Sequence, residues 1–146
     1  MSEHAPTDLS RAPSLEATLS RIDRALAWRE ADPRWSDLSQ RDGAFRAFNG
    51  FVEGDPTTVL EVFGTTLVLY DHGVSPEGDG PRARAVVERV FSRWPWLRSA
   101  LWKVRRGEDP ALRNGRILRG ERGDLPTAIR EGGVSYAVDL TMNRDA

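Results

Sequence analysis

Residues 48–73 read FNGFVEGDPTTVLEVFGTTLVLYDHG, and this stretch decides the fold. Thr58 to Phe63 (TVLEVF) and Thr65 to Tyr70 (TTLVLY) are rich in β-branched and apolar residues. The second is almost wholly apolar, as a central strand requires. Gly64 alone lies between them, so Phe63-Gly64-Thr65-Thr66 reads as a tight turn joining antiparallel strands. Upstream, Ala44 to Phe48 alternates Phe45 and Ala47 against Arg46 and Phe48, a third strand. The connection from Asn49 to Pro56 is longer than the roughly two residues a hairpin needs, and it carries Glu53, Gly54 and Asp55. Turn chemistry accounts for such residues; an acid–base pair would need a His or Lys nearby, and none is adjacent in sequence.

Working outward, Ser14 caps a helix whose Leu15, Leu19, Ile22 and Leu26 share one face and which ends at Asp32-Pro33. Arg21, Arg24 and Glu30 fall on its other faces as solvated surface, and Trp35 and Leu38 are expected to tack the following loop to the core. Gly73 to Gly80 is a loop, and Pro81 suits the first position of a second helix. That helix carries Ala83, Val86, Val87, Val90, Phe91 and Trp94 as its apolar stripe, flanked by Arg82, Arg89 and Arg93, and closes at Trp94-Pro95-Trp96. Ser99 to Val104, continued by Arg105 and Arg106, then Gly115 to Leu118 and Gly132 to Leu140, supply further strands. The expected class is α+β: a mixed, largely antiparallel sheet with two main helices packed on it. Residues 1–12 read as a flexible N-terminus and 13–146 as one module, of which 13–40 form a helical extension.

The chain of 146 residues matches one domain in length, with 39% hydrophobic and 29% charged residues. No apolar run reaches the roughly 18 residues of a membrane span. The N-terminus lacks the basic start and apolar core of a secretory signal, so the cytoplasm is the expected location. There is no cysteine, hence no disulfide, thiolate nucleophile or Cys-type zinc site. His4 and His72 form no metal-ligand pattern. The Gly73–Pro81 loop sits between a strand and a helix, but it lacks a phosphate-binding glycine pattern, and Glu77 and Asp79 oppose a phosphate.

The net charge of −1 conceals an asymmetry. Residues 1–81 carry 7 Arg against 14 acidic residues, whereas residues 82–122 carry 11 Arg and Lys103 against 4. Such a basic segment directs attention to a polyanionic partner. Trp102, Lys103, Arg105 and Arg106 cluster on and past one strand, and Arg113, Arg116, Arg119 and Arg122 recur every three residues. With Arg82, Arg89 and Arg93 they form either an RNA-binding face, with guanidinium groups on phosphates and Trp102 or Phe51 stacking on a base, or a solvated arginine-rich surface.

The segment AFRAFNGFVEGDPTTVLEVFGTTLVLYDH resembles the middle module of class I S-adenosylmethionine (SAM)-dependent RNA methyltransferases, similar to those that methylate carbon 5 of a cytosine in large-subunit ribosomal RNA. The family pattern R-x-x-N-x-x-x-E-G-x-P-x-L-x-V-D-x-Y-G-x-x-L-V is met by Arg46, Asn49, Glu53, Gly54, Pro56, Gly64, Leu67 and Val68. Glu61 stands at the usual aspartate and Phe63 at the usual tyrosine. Glu131, Gly133, Tyr136, Val138, Asp139 and Leu140 resemble the strand pair that follows. The resemblance covers about residues 41–146. It implies a recognition module that places RNA, ribosomal by analogy, against a Rossmann-like catalytic domain. That domain, its SAM loop and its nucleophilic cysteine have no counterpart in this sequence, so the chain alone is expected neither to bind SAM nor to catalyse. The same resemblance makes Arg46, Asn49, Glu53, Gly54 and Asp55 an ordered loop facing either the RNA or the catalytic domain; its carboxylates, which would oppose RNA phosphates, favour the catalytic domain, with Arg46 as the expected partner of Glu53 or Asp55. The competing reading is a dimerisation or docking module without RNA contact, using the sheet edge and the Trp94-Pro95-Trp96 patch.

Overall fold

The computed structural model describes residues 13–34, 42–73, 80–106 and 109–141. Trp35, Leu38, the N-terminal 12 residues and 74–79 of the Gly73–Gly80 loop lie outside them. The hairpin read from the sequence forms the middle of the sheet: β2 (Thr58–Phe63) and β3 (Thr66–Asp71) pair antiparallel with Phe63 opposite Thr66. Gly64 turns the chain at φ 61°, and its N–H donates to Gly43 O at 2.7 Å, tying the turn to the start of β1 (Ala44–Asn49). β1 adds antiparallel to β2. Its simple alternation fails: the register shifts between Arg46 and Phe48, and Ala47 and Phe48 are both buried. A bulge of this kind lets consecutive residues face inward.

From β3 the chain crosses over through a helix, α3 (Pro81–Arg93), and returns parallel to it as β4 (Ser99–Val104). A parallel pair needs such a crossover. β5 (Arg116–Arg119) completes a mixed sheet of order β1-β2-β3-β4-β5. The first helix, α1 (Leu15–Glu30), is capped by Ser14 Oγ, which accepts from Ala17 N at 3.2 Å. Ile22, Ala25 and Leu26 of α1 and the whole apolar stripe of α3 meet Leu60, Val62, Leu67, Leu69, Ala100 and Trp102 in one core. Truncating a fully buried residue such as Leu26 to Ala would cost about 2–5 kcal/mol. Val68 and Leu101 point to the opposite face and are covered by Leu140, with Val138 packed alongside. The class is α+β, as the sequence indicates.

Three expectations are corrected. The strand read over Gly132–Leu140 is shorter, β7 (Val134–Ala137), and it pairs antiparallel with an unread strand, β6 (Ala128–Glu131), because Gly132 and Gly133 both take positive φ and reverse the chain between them. The strand continued through Arg105 and Arg106 stops at Val104. The loop after β1 contains a one-turn helix, α2 (Gly50–Glu53); another short helix, α4 (Pro110–Asn114), starts where Asp109 Oδ1 accepts from Ala111 N.

Candidate functional site

The α2 connection is organised around a buried carboxylate. Asp55 is fully buried at the start of β2. Its Oδ1 accepts from Thr57 N at 2.9 Å and Thr57 Oγ1 at 2.6 Å. Its Oδ2 accepts from Thr18 Oγ1 at 2.7 Å, Thr58 Oγ1 at 3.0 Å and Arg82 Nη2 at 2.9 Å. Burial pushes the Asp55 carboxyl up, but the hydrogen bonds from Thr57 and Thr18 and the charge of Arg82 outweigh it and hold the pKa below the ordinary value. This one side chain joins α1, α3 and β2.

Glu53 is the second inward carboxylate. Arg29 of α1 grips it with two nitrogens at 3.0 and 2.7 Å, and Asn49 N donates to it at 3.0 Å, closing the first turn of α2. Here too burial acts upward and the Arg29 and Asn49 hydrogen bonds prevail, so the pKa is lowered. Arg46, expected to serve one of these acids, pairs instead with Glu61 directly across the β1–β2 ladder. A strand side chain reaches its cross-strand neighbour before it reaches the loop beyond its own end. Asn49 Oδ1 is buried without a hydrogen-bond partner. Gly54 adopts φ 106°, and its carbonyl accepts from Arg21 Nη1 at 2.9 Å. Gly50 is needed for a different reason: a Cβ there would run into the carbonyl oxygens of Asp55 and Thr58.

The arginines flanking the α3 stripe turn toward α1. Arg82 takes Asp55, Arg89 takes Asp23 at 2.8 Å, and Arg93 takes Glu30 at 2.7 Å. The charge asymmetry along the chain is therefore partly cancelled inside the molecule: acids of the N-terminal half face arginines of the basic segment. Trp102 is buried, packs under Gly80 and donates its indole N–H to Asp71 at 3.2 Å, so it presents no face to a base. Lys103 is buried as well, its Nζ donating to Leu140 O at 2.9 Å beneath the C-terminal segment. Arg105 lies 4.7 Å from the Tyr70 ring centroid, and Arg106 is exposed at the end of β4. Arg119 pairs with Glu88 and covers Phe91. Arg113, Arg116 and Arg122 sit on α4, β5 and a 3₁₀ turn respectively, and Arg116 and Arg122 line one shallow depression beside α4. Phe51 is half-exposed, edge-on to His72.

A surface that the sequence did not single out lies beside α2. An open groove of about 870 Å³ is lined by Arg21, Arg24, Trp28 and Arg29 of α1, by Arg46, and by Val52 of α2. Trp28 is 78% and Val52 77% exposed. Trp28 lies off the Leu15–Leu19–Ile22–Leu26 face, and that offset was its legible signal.

The described ends of the β3–α3 connection, Asp71–Gly73 and Gly80, are filled by the chain's own groups and leave no room there for SAM. A Cβ on Gly80 would lie 2.8 Å from the Trp102 ring, so the space this glycine leaves is filled by indole. The Asp71 carboxylate at the strand end is occupied by Gly73 N and Trp102 Nε1. Among the described residues there is also no cluster of acidic and histidine side chains able to hold a metal, and no helix long and apolar enough to cross a membrane.

Neither a protein-family model nor a curated protein sequence matches the chain. Among solved structures, SMU.776, assigned as a methyltransferase and crystallised with SAH, superposes with a TM-score of 0.57 at 17% identity, over 81% of this chain and 29% of that one. A protein from Streptococcus mutans assigned as a SAM-dependent methyltransferase gives 0.57 at 18% identity, over 85% and 31%. The chain thus has a fold found within chains assigned as SAM-dependent methyltransferases, and it spans less than a third of their length.

Proposed function

We propose that this chain is the substrate-recognition module of a SAM-dependent RNA methyltransferase, of the kind acting on ribosomal RNA. Its role is to hold RNA against a separate catalytic domain that binds the methyl donor. The observation that carries this reading is the shared fold over more than four-fifths of the chain with a segment of two assigned methyltransferases, one of them bound to SAH. The polar residues of the α2 connection face inward, so in this reading its contribution to a domain interface is shape rather than charge. Arg105 and Arg106 at the end of β4 are RNA contacts in this reading, whereas Arg82, Arg89 and Arg93 brace the two helices.

RNA binding by the chain, measured at several salt concentrations, tests the proposal. Binding that weakens linearly on a log–log scale, with a slope of about −0.7 per phosphate contacted on single strands, supports it. No binding to single-stranded or structured ribosomal RNA at low salt overturns it. The competing docking reading draws on the β6–β7 hairpin, where Val134 is 52% and Tyr136 50% exposed. It predicts self-association that Tyr136→Ser abolishes, without RNA binding.

A further inference from the structure

We propose that the groove between α1 and α2 binds single-stranded RNA, with Trp28 as a base-stacking platform and Arg21 and Arg24 as phosphate contacts. This rests on the RNA reading above and assigns it a site.

The charge balance within the groove selects a polyanion. Among the described residues, each acid at or beside it is matched by one arginine: Glu53 by Arg29, Asp32 by Arg34, and Glu61 by Arg46. Two arginines remain beyond these pairs. Arg21 holds only the neutral Gly54 carbonyl, and Arg24 has no ion-pair or hydrogen-bond partner among the described residues. Both lie one or two helical turns from Trp28 on α1, so guanidinium groups and indole border the same opening.

The apolar content selects bases over a simple anion. Single exposed apolar side chains are ordinary, but Trp28 and Val52 face one groove whose floor includes Ala25 and Phe45. A planar ring beside unneutralised guanidinium groups is the combination that single strands use, since every base offers a π-face. An added peptide strand is disfavoured here. β1 borders the groove, but its Arg46 carbonyl already accepts from Arg29 Nε at 3.2 Å, which removes a backbone acceptor from that edge.

The test uses the full chain and a fluorescently labelled oligouridine, with tryptophan emission followed in parallel. Trp28→Ala should weaken binding about 5- to 150-fold, the range for losing one base–aromatic stack. It should also abolish the quenching of tryptophan emission, while Trp28→Phe retains most of the affinity. Arg24→Gln should flatten the log–log salt slope by about 0.7. Both side chains are exposed, and unchanged thermal melts confirm that the variants fold. Parent-like binding by both Trp28→Ala and Arg24→Gln, with loss confined to Arg105→Gln/Arg106→Gln, overturns the groove and leaves the RNA reading standing. Failure of the parent to bind any RNA overturns both. Equal affinity for polyglutamate, lost equally in Trp28→Ala, overturns the nucleic-acid assignment in favour of an acidic protein segment.

Discussion

Asp55 and Arg82 are 27 residues apart in the chain, yet Arg82 Nη2 lies 2.9 Å from Asp55 Oδ2. The same guanidinium nitrogen donates to Thr18 Oγ1 at 2.6 Å, and that hydroxyl donates onward to Asp55. A fully buried carboxylate is tolerated because five donors surround it, three from neighbouring threonines and one each from α3 and the Thr57 backbone. Replacing Asp55 by Ala leaves all of these without their acceptor. The expected loss is about 3–5 kcal/mol in chemical denaturation, against about 1 kcal/mol for Thr18→Val, which removes one neutral donor to the carboxylate and one acceptor of Arg82 Nη2, a nitrogen that keeps its bond to Asp55. Equal costs for the two would show that the carboxylate is not the centre of the network.

Acid should destabilise the protein through the same residue. Despite burial, hydrogen bonds keep the pKa values of Asp55 and Glu53 below their ordinary values of 3.8 and 4.5. Both groups hold fewer protons folded than unfolded in the pH range between the two states' pKa values. Their stabilising contribution is complete above those unfolded values and is lost as pH falls through the depressed folded ones. In urea titrations from about pH 5 downward, Asp55→Asn should therefore lose stability less steeply than the parent, since one of the two titrating groups is gone. Parallel curves would place the acid sensitivity elsewhere.

The two glycines of the α2 connection should differ in severity. Gly54→Ala meets an unfavourable φ of 106° and the flexible Arg21 side chain, which can move aside, so about 1–3 kcal/mol is expected. Gly50→Ala meets carbonyl oxygens of Asp55 and Thr58, which cannot move without opening the loop. Its cost should reach or exceed about 3 kcal/mol, the upper end for overpacking. Thermal melts of the two variants give the order directly, and a milder Gly50→Ala would mean that the connection is looser than its hydrogen bonds imply.

Lys103 and Arg106 belong to the same short basic run but should respond oppositely to neutralisation. Lys103→Met removes a buried ammonium that holds the Leu140 carbonyl, and should loosen the segment 138–141 as seen by faster amide exchange at Leu101 and Val68. Arg106→Gln should leave stability within about 0.5 kcal/mol. Under the proposed function, any effect it has is on RNA affinity. If Lys103→Met left exchange at both positions unchanged, the C-terminal segment would not depend on this contact.

Between α1 and α3, Arg89–Asp23 and Arg93–Glu30 are partly exposed pairs. A double-mutant cycle on either should give a coupling of about 0.2–1 kcal/mol that shrinks in high salt. A coupling of zero would return these arginines to the pool available for RNA.

Much of the architecture was legible because it depends on neighbours in sequence. The β2–β3 hairpin follows from two β-rich runs around Gly64, α3 from Pro81 and a stripe at helical spacing, and the Ser14 cap from its place before Leu15. Local rules also fail locally: the bulge at Ala47 breaks the strand alternation, and the strand read from Gly132 begins only after the Gly132-Gly133 turn, paired with a β6 that was not read.

Side-chain partnerships were the part that sequence alone left open, since they depend on distances between segments far apart in the chain. Composition established a chain with an acidic first half and a basic segment after it, and left a polyanion-binding face and a solvated arginine-rich surface equally open. The tertiary structure sets α1 against α3, so that Asp23 and Glu30 meet Arg89 and Arg93, and Asp55 meets Arg82. It also turns Trp102 and Lys103 inward and leaves Trp28 outside. Charge along a sequence fixes how much is available to attract a ligand; only packing determines which charges neutralise one another at short range and which remain facing solvent.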